Sequence, residues 1–317
     1  MSGTAVDDED GNMMMFCAGC GKAEGDGITL KRCNGCYLVR YCGTDCQKKH
    51  RSKHRKECKK RAAELHDEIL FKQPEGSHHG DCPICCLPLP LDPDNSFMMT
   101  CCAKLICNGC NYANQEREFE QRLEEKCPYC RLPAAHTEEE QLRYVMKRIE
   151  ANDPVAMTEM GTVCLKRGDN RNAFKYLSKA AALGNAQAQY SLSIMYRSGM
   201  GVEMNEKKCL YHSEQAAIGG HPIARYNLGS KEKSNGKIDR AVKHWIIGAT
   251  LGGDESVDAV KNCFKDGLVS KEDFTTTLRA YQTAIEATKS PKREEAVQNT
   301  QMLKEAEKIL EWTYRGG

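Results

Sequence analysis

The 317-residue sequence lacks any apolar run approaching the length of a membrane span. Its first residues turn acidic from Asp7 to Asp10 instead of forming the apolar segment of a signal peptide. We therefore expect no membrane association and a location in the reducing cytoplasm or nucleus. The net charge is only +2, which is too small to imply a nucleic-acid or membrane partner by itself.

Cysteine is abundant but very unevenly distributed. Of the 19 cysteines, all but Cys164, Cys209 and Cys263 lie between Cys17 and Cys130. Such density indicates either a disulfide framework or metal sites, and a reducing compartment favours metal. After about residue 153 the chain turns rich in Ala and Gly, and it shows no phosphate-binding loop and no nucleophile–base pattern.

The first cysteine cluster has the spacing of two four-ligand zinc sites. Its candidate ligands form four pairs: Cys17/Cys20, Cys33/Cys36, Cys42/Cys46 and His54/Cys58. Two-residue spacing brings two sulfurs onto one ion across a tight turn, and three-residue spacing does so on a helix. We expect Gly19 and Gly35 to supply permissive backbone to the two tight turns.

With Tyr41 before Cys42 and Gln47 after Cys46, this stretch resembles a MYND zinc finger, here called the first module (16–60). The resemblance implies interleaved ligand sets, Cys17, Cys20, Cys42 and Cys46 on one zinc and Cys33, Cys36, His54 and Cys58 on the other. It also implies a peptide-docking role. Because protein side chains fill all four positions of each ion, the zinc is expected to be structural. A disordered tail (1–15) and a linker helix (61–77) are predicted on either side.

The segment from Gln47 to Arg61 contains nine Lys or Arg residues and one Glu. Such a run is typical of a nuclear localisation signal or a nucleic-acid patch. A solvated helix face that also supplies His54 and Cys58 explains it as well. We favour the solvated face, so nucleic acid is not a favoured partner.

A second cluster, here called the second module (78–133), has the order Cys82/Cys85, Cys101/Cys102, Cys107/Cys110, Cys127/Cys130. Phe119 and Leu123, four residues apart among charged residues, predict a short amphipathic helix between the last two pairs. Cys-Pro-Ile-Cys at the start and Cys-Pro-Tyr-Cys-Arg at the end resemble a RING finger. That resemblance implies that Cys82, Cys85, Cys107 and Cys110 share one zinc.

The other zinc of the second module departs from the RING pattern, because Lys104 stands where a RING finger has a His ligand. Cys101 is the candidate substitute, with Cys86 as a competing spare thiol. The predicted set is Cys101, Cys102, Cys127 and Cys130, and the chain is expected to bind about four zinc ions. In RING ligases an apolar residue of the first turn and a basic residue after the last ligand contact the ubiquitin-conjugating enzyme and ubiquitin. Ile84 and Arg131 occupy these positions.

The second half repeats with offsets of 32, 36 and 33 residues, aligning Ala156, Ala188, Ala224 and Val257. Periods of this length predict a helical solenoid, with Gly184, Gly219 and Gly252 ending helices. The segment from Met195 to Val202 resembles a Sel1-like repeat, a relative of the tetratricopeptide repeat. We place the repeats at 137–290 and a further helix at 291–317.

The predicted architecture is multi-domain, with two small cross-braced zinc-finger modules followed by an all-α helical-repeat solenoid. The combination resembles algal and protist proteins of this architecture. The favoured function is a zinc-binding adaptor whose partners are proteins or peptides. The alternative is a RING-type ubiquitin ligase that recruits its substrate through the MYND finger or the repeats.

Overall fold

The computed structural model describes residues 6–7, 13–25 and 27–315, and it divides the chain into two compact units, residues 1–72 and 73–317. Most of the predicted disordered tail (1–15) lies outside the described residues. Within it, β1 (Val6–Asp7) pairs antiparallel with β2 (Met13–Met14), so the described part of this segment has secondary structure.

After β1 and β2, the described part of the first unit continues as a short hairpin and one long helix. Strands β3 (Lys31–Arg32) and β4 (Arg40–Tyr41) pair antiparallel, and helix α1 runs from Thr44 to Leu70. The predicted linker helix (61–77) is therefore not a separate element and ends earlier. Neither Gly nor Pro interrupts the chain between Thr44 and Leu70, so the helix that begins in the first module continues without a break.

The second module opens the second unit. Strands β5 (Ser96–Met99) and β6 (Lys104–Cys107) pair antiparallel and lead directly into α2 (Asn108–Glu120). The prediction of an amphipathic helix with Phe119 and Leu123 on one face is wrong in detail, because Leu123 lies beyond α2 and Phe119 is 86% exposed. The Cys107 sulfur accepts a hydrogen bond from the Cys110 N–H and caps α2 at its first turn, which sets the register and buries Glu118 instead.

Ten further helices follow in the described part of the second unit. They are α3 (Glu138–Glu150), α4 (Pro154–Lys166), α5 (Asn170–Ala182), α6 (Ala186–Ser198), α7 (Glu206–Ile218), α8 (Pro222–Ser234), α9 (Ile238–Thr250), α10 (Asp254–Lys265), α11 (Lys271–Ala287) and α12 (Pro291–Arg315). Helices α3 to α10 pack mainly against their neighbours in sequence, whereas α11 also packs against α9 and α12 packs against α2. The predicted architecture of zinc-finger modules and a helical solenoid is confirmed. Among the described residues, no helix combines the length and the apolar character needed to cross a bilayer.

Small residues allow the paired helices of the solenoid to approach closely. A Cβ added at Gly161 of α4 would lie 2.7 Å from Leu177 of α5, and one added at Gly229 of α8 would lie 2.4 Å from the Trp245 indole of α9. The buried Ser193 occupies the aligned position of the repeat between them. Of the predicted helix stops, Gly184 and Gly252 have left-handed backbone. Gly219 directly follows α7, but there the left-handed residue is Gly220.

The close approach of α8 and α9 predicts the effect of enlarging Gly229. Gly229→Ala should destabilise the solenoid by about 1–3 kcal/mol, since the added methyl group overpacks the Trp245 contact and outweighs the gain in helix propensity. The measurement is the urea midpoint followed by far-UV circular dichroism on zinc-loaded protein. Ser234→Ala, an exposed change on the same helix, should stay within about 0.5 kcal/mol. Equal midpoints for the two variants would contradict the packing argument.

Candidate metal centres

The first module brings its eight candidate ligands together in two groups of four. Within each group the ligand atoms lie within 4.8 Å of one another, and the groups are Cys17, Cys20, Cys42 and Cys46, and Cys33, Cys36, His54 and Cys58. A tetrahedral zinc with Zn–S bonds of about 2.3 Å places its sulfurs about 3.8 Å apart. The Sγ atoms of Cys20 and Cys42 are 3.7 Å apart, and those of Cys33 and Cys58 are 3.8 Å apart. The donor sets therefore fit zinc.

The two groups interleave because successive ligand pairs along the chain belong alternately to one group and to the other. The second ligand pair lies in the connection between β3 and β4, and β4 leads to the third pair. Helix α1 supplies Cys46 to one group and His54 and Cys58 to the other. Cys42 lies just before α1, so the third pair is only partly helical. Cys20 and Cys42 are exposed, whereas three ligands of the second group are buried.

Gly19 and Gly35 are required for space and not for backbone freedom. Neither has a positive φ, contrary to the expectation from the sequence. A Cβ at Gly19 would lie 2.6 Å from the Cys46 Cβ, and one at Gly35 would lie 3.1 Å from the Cys58 sulfur. Each glycine therefore lets α1 approach the turn that contains the glycine closely enough for the ligands to converge.

A row of rings orients the only imidazole ligand candidate. The Tyr41 hydroxyl lies 3.1 Å from Nδ1 of His50, and the His50 ring stacks on His54 with centroids 5.8 Å apart. Nε2 of His54 lies 3.2 Å from the Cys36 sulfur. Burial, aided by the charge of His50, lowers the pKa of His54, which favours the neutral imidazole that binds metal.

The second module also forms two groups of four, with the same limit of 4.8 Å between ligand atoms. They are Cys82, Cys85, Cys107 and Cys110, and Cys101, Cys102, Cys127 and Cys130. The sulfurs of Cys85 and Cys107 are 3.8 Å apart, those of Cys101 and Cys130 are 3.4 Å apart, and those of Cys102 and Cys127 are 3.9 Å apart. Together, the four groups found among the described residues account for about four zinc ions.

The adjacent cysteines 101 and 102 reach one site through a tight turn. Ala103 follows them with a φ of 53°, and its N–H donates to the Met99 carbonyl at 2.7 Å. This left-handed residue reverses the chain before β6, where Lys104 is exposed. Cys86, the competing thiol, is exposed and lies outside both groups.

Four of the turns share one backbone conformation, and we call each a knuckle: 17–20, 33–36, 82–85 and 127–130. The residue after each knuckle has a positive φ, and its N–H donates to the carbonyl of the first cysteine. These residues are Gly21, Tyr37, Cys86 and Arg131, with N–O distances of 2.8, 2.9, 2.9 and 3.0 Å. Cys86 therefore occupies the residue position that follows a knuckle, and its thiol belongs to neither ligand group of the second module.

The knuckles also prepare their first sulfur for metal. Burial acts to raise the pKa of these thiols, but backbone N–H groups directed at the sulfur outweigh it. The pKa is lowered to about 6 at Cys17 and to about 7 at Cys82, and it is also lowered at Cys33 and Cys127. Since the thiolate is the form that binds zinc, the turn favours the ligand state before the ion arrives.

Helix α12 supplies a contact to the second module that the sequence did not predict. The buried Arg293 donates to the Cys85 sulfur at 3.2 Å and to the Pro88 carbonyl at 2.7 Å. A Cβ at Gly109 of α2 would lie 2.8 Å from the Arg293 backbone nitrogen, so the two helices touch closely. A zinc with four thiolates carries net negative charge, which the guanidinium offsets. No sequence signal links positions 208 residues apart.

The two residues proposed to contact a conjugating enzyme differ in their surroundings. Ile84 is 41% exposed. Arg131 donates to Oδ1 of Asn114 at 2.9 Å and to Oε1 of Glu118 at 3.4 Å. Glu118 is 3% exposed and also accepts from the Lys126 N–H, so Arg131 has a structural role in neutralising a buried carboxylate.

Family models match two parts of the chain. The MYND finger matches residues 17–58, and the Sel1 repeat matches residues 154–185 and 186–221. Among curated proteins, DAP3-binding cell death enhancer 1 of Mus musculus is 23% identical over 196 residues, which is 49% of this chain and 38% of that protein. A SET and MYND domain-containing protein of Dictyostelium discoideum is 59% identical over 34 residues, 11% of this chain and 6% of that protein.

Two solved structures resemble the chain weakly. A Sel1 repeat protein from Oxalobacter formigenes shares 24% identity with a TM-score of 0.35, covering 38% of this chain and 97% of that one. A protective antigen of uropathogenic Escherichia coli with an SLR fold shares 21% identity with a TM-score of 0.37, covering 54% and 37%. The chain spans well under two thirds of both curated relatives. By the family models, it carries a MYND finger followed by Sel1 repeats.

Proposed function

We propose that the chain is an adaptor in which the MYND finger docks a peptide of one partner while the solenoid offers a second surface. Both kinds of module mediate protein interaction, so the chain is a zinc-binding protein-interaction protein. What we propose in addition is which surface of the chain binds each partner.

The observation that carries the proposal is the completeness of the four ligand groups. Each offers four protein ligands to one ion. Catalytic zinc keeps a position for water or substrate, whereas structural zinc is enclosed by protein. With no position left for a reactant, the role of the metal is to hold surfaces in place.

A peptide-docking surface on the first module is supported by two exposed apolar side chains. Tyr37 and Leu38 are 57% and 59% exposed, and they follow directly after the Cys33–Cys36 knuckle. The knuckle fixes their backbone, since Tyr37 is held at a φ of 58° by its hydrogen bond to Cys33. Exposed apolar side chains on a fixed backbone are typical of an interaction site.

The solenoid offers a second surface in a cleft of about 510 Å³ between α6, α7 and α8. Tyr196, Leu210 and Leu228 contribute apolar area to it, and a Glu206–Lys231 ion pair of 2.8 Å lies at its edge. An apolar centre with a charged edge is how protein interfaces are organised. This cleft is our candidate for the second partner.

Ubiquitin ligation is the second candidate function. The exposure of Ile84 on the second module favours it, because that side chain is free to contact a conjugating enzyme. The bonds from Arg131 to Asn114 and Glu118 oppose it, because they engage two of its five N–H donors and hold the guanidinium against the second module. We therefore rank it below the adaptor.

The proposed ligand set of the fourth zinc predicts which cysteine matters. Zinc-loaded wild-type chain should contain about four ions, and Cys101→Ser should lower the count by about one, since a site with three ligands binds structural zinc poorly. Elemental analysis under reducing conditions measures this. The control is Cys86→Ser, which should keep all the zinc. The reverse pattern would assign the ligand to Cys86.

The proposed docking surface of the first module predicts that shortening the Leu38 side chain weakens peptide binding. Peptides selected from a random library on the zinc-loaded chain should bind Leu38→Ala at least about ten-fold more weakly, the size of a moderate interface contact. Binding is measured by fluorescence anisotropy. Leu183→Ala removes a similarly exposed leucine from the solenoid and should leave affinity unchanged. Failure to select any peptide that depends on Leu38 would refute this surface.

The bonds that hold Arg131 against Asn114 and Glu118 predict no ubiquitin transfer. The zinc-loaded chain should not accelerate discharge of ubiquitin from any of a broad panel of charged conjugating enzymes, measured by loss of the thioester. The opposite outcome would favour ubiquitin ligation: the chain accelerates discharge, and Ile84→Ala lowers the rate about ten-fold with zinc content unchanged. A ten-fold loss corresponds to about 1.4 kcal/mol of binding free energy. Phe119→Ala, an exposed change on the same module, serves as the matched control.

A further inference from the structure

Helix α1 carries exposed positive charge that the zinc sites do not need. Eight of its cations are exposed: Lys48, Lys49, Arg51, Lys53, Arg55, Lys56, Lys59 and Lys60. Arg61, the ninth, forms ion pairs with Glu64 and Glu68. Across the described ranges, the other eight form no ion pair. The run therefore has no partner within this part of the chain.

Helical geometry sorts the eight cations into two rows of four. At about 100° per residue, and with His54 taken as the direction of the finger core, the rows lie at about 60–140° and about 200–260°. One row is Lys48, Arg51, Arg55 and Lys59, and the other is Lys49, Lys53, Lys56 and Lys60. Ser52 lies between them. Each row extends about 16 Å along the helix at 1.5 Å per residue.

This arrangement acts against the stability of the helix itself. Like charges four residues apart, as in Arg51/Arg55, Lys49/Lys53 and Lys56/Lys60, destabilise a helix. Elsewhere the chain pairs such cations, as Lys261 with Asp258 and Lys289 with Glu286. A face that served only solubility would mix the signs, whereas the exposed surface of α1 from Gln47 to Lys60 contains Glu57 as its one acid.

We propose that α1 binds duplex DNA by lying in the major groove, with one row of cations on each flanking phosphate backbone. The groove is about 12 Å wide and a helix with its side chains is about 10–12 Å across, so both rows meet phosphates at once. Cys46, His54 and Cys58 hold the back of the helix to the zinc groups, which leaves the two rows facing outward. Between the rows lie Ser52 and, in the first turn of α1, the exposed Asp45, so the binding is to the backbone and discriminates sequence weakly.

Other polyanions fit the two rows less well. An acidic peptide is a single line of charge and would neutralise one row. An anionic membrane attracts basic segments but binds a helix more firmly through an inserted apolar face, and apart from the ligand Cys58, residues 47–60 are polar or charged. The major groove of duplex RNA is deep and narrow, so it does not admit the helix. B-form DNA is therefore the partner with matching width and two charged walls.

The test is a titration of a labelled, mixed-sequence DNA duplex of about 20 base pairs with the full zinc-loaded chain, by fluorescence anisotropy at several salt concentrations. Contacts from all eight cations give a log–log salt slope of about −7, and replacing one row by Gln should reduce its magnitude by about 3–4. Each row variant should bind at least about ten-fold more weakly at low salt. Gln keeps the helix propensity of Lys and Arg, and zinc content reports that the finger is folded.

The matched control removes four positive charges from the solenoid by Lys175→Gln, Lys207→Gln, Lys265→Gln and Lys271→Gln, and it should bind as the wild type does. Should a row variant lose zinc, the smaller changes Arg51→Gln with Arg55→Gln and Lys53→Gln with Lys56→Gln replace it. The proposal is overturned if the control weakens binding as much as a row variant does, or if only one row matters. It is equally overturned if single-stranded DNA, duplex RNA, poly-glutamate or vesicles containing phosphatidylserine bind as tightly as the duplex.

Discussion

The convergence of four side chains on each metal ion is the constraint on which residues 17 to 130 depend. The buried core of the first module consists of Cys17, Leu30, Cys33, Cys36 and Tyr41, so most of it is ligand. A segment this short buries too little apolar surface to fold on that basis alone. Structural zinc therefore supplies folding free energy directly, and the close passage of α1 over Gly19 and Gly35 follows from the ligand geometry.

The solenoid is stabilised by a different interaction, the close packing of helix pairs at small residues. Gly161 and Gly229 bring successive helices into contact, and buried Ala156, Ala188 and Ala224 recur at the aligned position. Such an array is stabilised by contacts between neighbouring repeats and presents long surfaces without a central site. The second module and the helices nevertheless form one compact unit, because Ala103 belongs to the same buried core as Ile149 and Ala156, and Arg293 of α12 lies against Cys85.

Two arginines of this chain lie beside the negative charge that they neutralise. Arg293 lies against the sulfur of Cys85, where thiolates concentrate negative charge, and Arg131 lies against the buried Glu118. In both cases a guanidinium satisfies several acceptors at once. The cations of α1 have no such counterpart among the described residues, and their two rows make an external polyanion the consistent partner. The same helix thus links metal binding to charge presentation.

The sequence by itself determined the ligand pairs, the order of the modules and the helical repeat, because each depends on spacing along the chain. It also predicted one ligand group of Cys101, Cys102, Cys127 and Cys130, whose sulfurs lie within 4.8 Å of one another. Tertiary structure decided what depends on contacts between distant segments. The steric role of Gly19, the burial of Glu118 instead of Phe119, and the docking of Arg293 beside Cys85 arise only when separate elements meet. Local spacing carries no information about such contacts, since they are set by which surfaces the packed helices bring together.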